Sequence, residues 1–192
     1  MKSARLVERP SLSAEIDWEK LAAELGPLTA DGESGGSGQA RRALEFIVGE
    51  DALRASVDHY IADHRGFELA RSVLWQLRPW SAMRYCYEIF KGSSRLAARR
   101  AAVELLLVIG DRRALPWIPE FLDDNDPDIQ KCGIGLLDQF LFFELTRPEE
   151  AEVLLKMAEQ HHSDRAREEA ERIRRDLRAR AQMDERRSPE NG

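Results

Sequence analysis

The chain has 192 residues, 43% of them hydrophobic and 33% charged, with a formal net charge of −6. That length supports one domain with a core of its own. The acidic balance argues against wholesale nucleic-acid binding, while leaving room for a local basic face. No apolar run of about 18 residues occurs, so no transmembrane helix and no membrane partner are expected. The start, M-K-S-A-R-L-V-E-R-P, lacks an apolar signal core and predicts a cytoplasmic protein. Both cysteines, Cys86 and Cys132, sit in apolar helical patterns, as buried thiols in a reducing compartment would.

Residues 1–12 carry no periodicity. Ser13 can cap a short helix with Ile16, Leu21 and Leu25 on one side, ended by Gly26-Pro27. Asp31–Gly38 reads D-G-E-S-G-G-S-G, the composition of a flexible linker. Residues 1–38 are therefore a leader, and its helix either docks on the helical domain after it or hangs free. The folded domain spans 39–183, with a disordered tail over 184–192. Leu44, Ile47 and Val48 form a short stripe that ends at Gly49 and reads as a helical N-terminal cap.

Four helix pairs succeed it: about 51–64 with 67–77, 80–91 with 94–109, 112–123 with 127–144, and 148–161 with 164–183. Such a spacing signals stacked units, each too small to cover its own apolar face. Pro79, Pro116 and Pro148 mark first-helix starts. Ser94, Asp126 and Ser163 read as N-caps, and Thr146 with Glu149 has capping-box spacing. Gly66, Gly92 and Gly110 fall at expected helix ends.

The stretch Gly110–Leu137, G-D-R-R-A-L-P-W-I-P-E-F-L-D-D-N-D-P-D-I-Q-K-C-G-I-G-L-L, resembles the HEAT-like repeat of the type found in bilin lyases. Its usual form is G-D-x-x-A-V-P-x-L, then D-x-D-P-x-V-R-x-x-A-A. The resemblance is strongest over 94–145, moderate to about residue 180, weak over 39–91, and leaves 1–38 outside. It implies an all-α fold, a short α-solenoid of about four HEAT-like pairs. The family's Val position maps to Ala98, Ile129 and Ala166, and its Arg position to Arg99, Gln130 and Arg167. That arginine commonly forms a ladder with an acidic turn residue, and Gln130 interrupts it. The small-residue pair maps to Ala102-Val103, Gly133-Ile134 and Ala170-Glu171. The last helix keeps only Ala166, Ala170, Ile173 and Leu177 as an apolar stripe, as a terminal repeat would.

Catalytic signatures are sparse. His59 and His64 diverge by about 140° on a continuous helix, and adjacent His161 and His162 also diverge, so neither pair forms a metal site. No phosphate loop or nucleophile elbow is present. No enzyme activity, cofactor or metal is expected. On a wheel from Ile129, Phe140 and Phe143 fall in the core stripe. Phe142 points away, either exposed or covered by the loop before Thr146.

In such repeats the second helices line the concave side. The outward positions are Arg71, Trp75, Arg78, Arg100, Glu104, Lys131, Gly135, Asp138, Phe142, Glu168, Arg172 and Arg175, and six of these are basic in an acidic protein. Arg71, Trp75, Arg78, Arg100, Lys131 and Phe142 form the candidate binding face for an acidic protein partner. The expected function is a non-catalytic binding module or scaffold on a monomer: an assembly factor, a regulator or a toxin-neutralising protein. The alternative implied by the resemblance is a HEAT-like alkylpurine DNA glycosylase, with Asp138 beside Phe142 as the one candidate acid. Bilin lyases share the repeat, but four pairs are short for that activity.

Overall fold

A computed structural model describes residues 38–187; the predicted leader helix, most of the linker and the last five residues lie outside these. By its contacts the chain divides between Val48 and Gly49. The first unit contributes helix α1, Gly38–Val48, to the described residues. Its end at Val48 matches the expected stripe, and Gly49 comes next at φ 84°.

The second unit contains α2 (Glu50–Ile61), α3 (Phe67–Leu77), α4 (Trp80–Gly92) and α5 (Leu96–Ile109). A 3-10 helix over Arg112–Trp117 then runs into α6 (Ile118–Leu122). Helices α7 (Pro127–Phe142), α8 (Pro148–Glu159) and α9 (Asp164–Arg187) complete it. The described residues are all-α, with no strand. Helix α9 continues past Met183 to Arg187, so the first four residues of the expected tail are helical.

The helices pack as pairs, α2 on α3, α4 on α5, α6 on α7 and α8 on α9. Like elements also meet: α3 on α5, α5 on α7 and α7 on α9 among second helices, and α2 on α4 and α6 on α8 among first helices. Each helix therefore needs two apolar flanks, and the sequence supplies them. Helix α5 buries Ala98, Ala102, Val103, Leu105, Leu106 and Ile109, while α7 buries Ile129, Gly133, Ile134, Leu136, Leu137 and Phe140. Full burial of each large side chain contributes roughly 1.5–3 kcal/mol.

Asp126 caps α7 as expected: its side chain accepts from the N–H groups of Asp128 and Ile129, both at 3.2 Å. Two other caps are displaced by one residue. Helix α5 starts after Arg95, whose N–H donates to Ser93 Oγ at 3.2 Å, so Ser94 is not the cap. Helix α8 starts after Arg147, because Pro148 takes N1; Glu150, not Glu149, then accepts from Arg147 N at 3.3 Å and from Thr146 Oγ1 at 3.2 Å.

The first helix of the third pair is broken. Pro116 and Pro119 each remove an N–H donor, and the segment resolves into a 3-10 turn followed by five α-helical residues. Aromatic stacking compensates. Trp117 stacks on Trp80 at 5.5 Å and on Tyr87 at 4.5 Å, and Phe121 meets Phe90 edge-on at 4.8 Å.

Two glycines are fixed by geometry. Gly110 closes α5 in the left-handed region at φ 60°, where a side chain is strained. Gly133 lets α7 approach α6, since a Cβ there would lie 2.8 Å from Phe121 Cβ. Gly92, by contrast, ends α4 without a left-handed backbone, and Gly66 at φ 90° precedes α3 rather than closing α2.

Candidate partner-binding face

The turn between α6 and α7, Asp123–Asp126, shows how this unit uses charge. Arg99 on α5 donates from its guanidinium to Asp124 Oδ2 and to Phe90 O at 3.1 Å. Asp124 Oδ1 accepts from Asp126 N at 2.9 Å. Gln130, which interrupts the expected arginine ladder, donates its side-chain amide to Asp124 O at 2.6 Å. An uncharged amide thus holds the same turn from the other side.

One step along α5, Arg100 grips Asp126 with two parallel bonds of 3.0 and 2.6 Å and reaches Asp128 at 3.2 Å. The guanidinium, followed by the backbone N–H groups, holds the Asp126 carboxyl below the usual carboxylate range. Arg100 is only partly exposed, its side chain at 42%. It fastens α5 to the start of α7.

The other candidates divide. Arg78 is half-buried, sits at the left-handed C-cap of α3, and its carbonyl accepts from Arg113 at 2.7 Å. It belongs to the junction beside Asp111, whose carboxyl it helps to hold low after Arg113. Gly135 is covered by Leu107, 3.5 Å from its Cβ direction. Asp138 accepts from Arg172 at 2.6 Å, and Arg172 also holds Glu169 and Asp176.

Arg71, Trp75 and Lys131 are exposed, as is Glu104. Arg71 and Trp75 share one side of α3 at i, i+4. The side chains of Arg71, Glu104 and Lys131 make no hydrogen bond or ion pair among the described residues. Burial and then Glu104 push the Tyr60 phenol up to about 12, against Arg71. Burial and then Glu104 push the Cys132 thiol up to about 11, against Lys131. Helix α5, which carries Glu104, packs on both α3 and α7, so an acid falls between two bases where a basic column was expected. Cys86 is fully buried and Cys132 partly so, both as free thiols.

Phe142 lies eleven residues beyond Lys131, about 16 Å along the helix, in a different patch. It is exposed, at 57%, with Arg180 over its ring at 4.7 Å. Phe143 is exposed too, at 59%, not in the core stripe. The wheel fails there because α7 stops at Phe142 and Glu144 turns left-handed at φ 54°.

Histidine geometry also departs from the wheel. Helix α2 ends at Ile61 and Asp63 is left-handed, so the turn brings His64 back to 5.7 Å from His59. The His161 and His162 rings lie 4.1 Å apart in the turn after α8. Among the described residues no group of three or more His, Cys, Asp or Glu side chains is placed to hold a metal ion.

A cleft of about 300 Å³ lies between α6 and α8, lined by Pro119, Leu122, Met157 and His161 with Glu120 and Asp123 at hand. Glu120 is already held by Lys91 Nζ and by the Tyr87 hydroxyl, both at 2.6 Å, which keep its carboxyl low. Met157, at 43% exposed, gives the cleft an apolar wall that no sequence motif announced. Comparison with protein-family models, with curated proteins and with solved structures finds no match for this chain.

Proposed function

We propose that residues 49–187 form a short α-solenoid of HEAT-like helix pairs and serve as a non-catalytic module that holds a protein partner against the second helices. Like-on-like helix packing and the turn at Asp123–Asp126 support the repeat reading. One observation carries the functional one. Arg71, Glu104 and Lys131 stand exposed and without ion pairs among the described residues, on three successively packed helices, with Trp75 beside Arg71. Several other arginines of this unit are tied: Arg99, Arg100, Arg112, Arg172 and Arg174 all hold carboxylates. Desolvated Trp and Arg contacts dominate many protein interfaces, and charge complementarity sets which partner fits.

The DNA-glycosylase reading gains nothing from these contacts. Its candidate acid, Asp138, is bridged to Arg172, and the exposed row carries an acid at its centre.

The test is affinity capture from source lysate with the wild-type chain and with Arg71→Glu/Lys131→Glu. The expected result is a protein partner retained by the first and lost by the second, with helicity unchanged. Retention of that partner at wild-type affinity by the double variant overturns the assignment of this face. Capture on heparin that falls steeply with salt would instead indicate phosphate contacts.

A further inference from the structure

The partner-binding reading extends to the chemistry of the bound segment, whose charge order is inferred on the strength of that reading. Arg71 is on α3, Glu104 on α5 and Lys131 on α7, and these helices pack in that order. Packed helix axes lie roughly 8–10 Å apart, so base, acid and base sit on three successive helices at about that axis spacing. Helix α5 packs on both α3 and α7, so Glu104 stands on the helix between those that carry the two cations. A uniformly acidic partner would meet repulsion at its centre.

We propose that this row binds an extended polyproline II segment with the charge order acid-x-x-base-x-x-acid. Polyproline II has three residues per turn and rises about 3.1 Å per residue. Every third side chain therefore faces the same way, about 9 Å from the last, which matches the helix spacing. A β-strand fails this geometry, because residues three apart point to opposite faces. Trp75, exposed beside Arg71, supplies the aromatic surface on which proline-rich segments dock.

The test uses the full chain and three fluorescent peptides built on the core Glu-Pro-Pro-Lys-Pro-Pro-Glu, its charge-reversed form, and the uniformly acidic form. The matched peptide is expected to bind about fivefold or more tighter than either other, the sum of three exposed pairs. Glu104→Lys should move the preference to the uniformly acidic peptide, and Trp75→Ala should weaken all binding to proline-rich probes. Equal binding of the matched and reversed peptides, no binding of any, or an unchanged ranking in Glu104→Lys overturns the proposal. So does tighter binding of a helical peptide with the same charges seven residues apart. If the charge order fails while Arg71→Glu/Lys131→Glu still abolishes capture of a natural partner, the binding-module reading stands without it. If capture also survives that double variant, both fall.

Discussion

Two clusters of charge on the same helices behave in opposite ways. At the α6–α7 turn, Arg99, Arg100, Asp124, Asp126 and Gln130 close on one another through side chains and backbone. Along the second helices, Arg71, Glu104 and Lys131 stay apart although their helices touch. Arg100 and Lys131 occupy equivalent positions of consecutive helix pairs, yet one is structural and the other is exposed. The difference lies in the next helix: Arg100 finds Asp126 at the N-cap of α7, with Asp128 beside it. Position within a pair alone therefore does not separate a charge tied into the fold from an exposed one. The carboxylates offered by the next turn do.

The strongest way to break the first cluster is Asp126→Ala. It removes a helix cap, typically worth about 1 kcal/mol, and leaves Arg100 without its fork. The expected loss is about 2–3 kcal/mol, the cap together with a charge-assisted hydrogen bond, read from urea denaturation. A loss under about 0.5 kcal/mol, below the usual range for a lost cap, would mean that the turn does not depend on this carboxylate. Arg100→Glu belongs with it, since it sets two carboxylates against each other, and should lower stability rather than report on binding.

Gly133→Ala probes the packing beneath the turn. A methyl group 2.8 Å from Phe121 Cβ must push α6 and α7 apart, at a cost of about 1–2 kcal/mol. An unchanged denaturation midpoint would show that α6 yields freely. A smaller effect is expected from pH. Burial, followed by His162, lowers the His161 pKa, with Asp123 opposing. The unfolded chain then takes up a proton near its ordinary value of about 6.5, which the folded form resists. Stability should fall as pH drops from about 7 toward about 5, and His161→Gln should flatten that slope. The carboxylates held low, among them Asp126, lose their contribution only further down, as pH falls through their depressed folded values. The smallest effect belongs to the second cluster. Arg71→Ala and Lys131→Ala should each change stability by less than about 0.5 kcal/mol. A larger loss in either would show that the row, too, is structural.

Much of this is legible in the chain itself. Hydrophobic periodicity and proline spacing locate the helix pairs within a few residues, and Asp126-Pro127 announces its own cap. The misses have local causes. Ser94 and Glu149 have the spacing of caps, but α5 starts one residue later, after Arg95, and at α8 it is Glu150 that accepts from the cap. A wheel puts Phe143, His64, His161 and His162 on helices that have already ended, and it carries no information past a left-handed residue. The break in the third pair comes from two prolines, Pro116 and Pro119, whose joint effect on hydrogen bonding exceeds that of one proline at N1. For the proposed binding face, sequence can name Arg71, Trp75 and Lys131, but not that Arg78 and Arg100 are drawn into junctions. That depends on partners 26 to 35 residues away, which no periodic pattern encodes.

The stacked rings of Trp80, Trp117 and Tyr87 have an optical consequence. Two indoles 5.5 Å apart and nearly parallel, at 14°, are close enough for their excited states to couple. One indole belongs to α4 and the other to the 3-10 turn before α6, so the coupling exists only while the second and third pairs are joined. A near-ultraviolet circular dichroism band lost in Trp117→Leu, while the far-ultraviolet helix signal remains, would be a built-in gauge of that joint. It would allow opening between helix pairs to be monitored separately from the melting of any one helix.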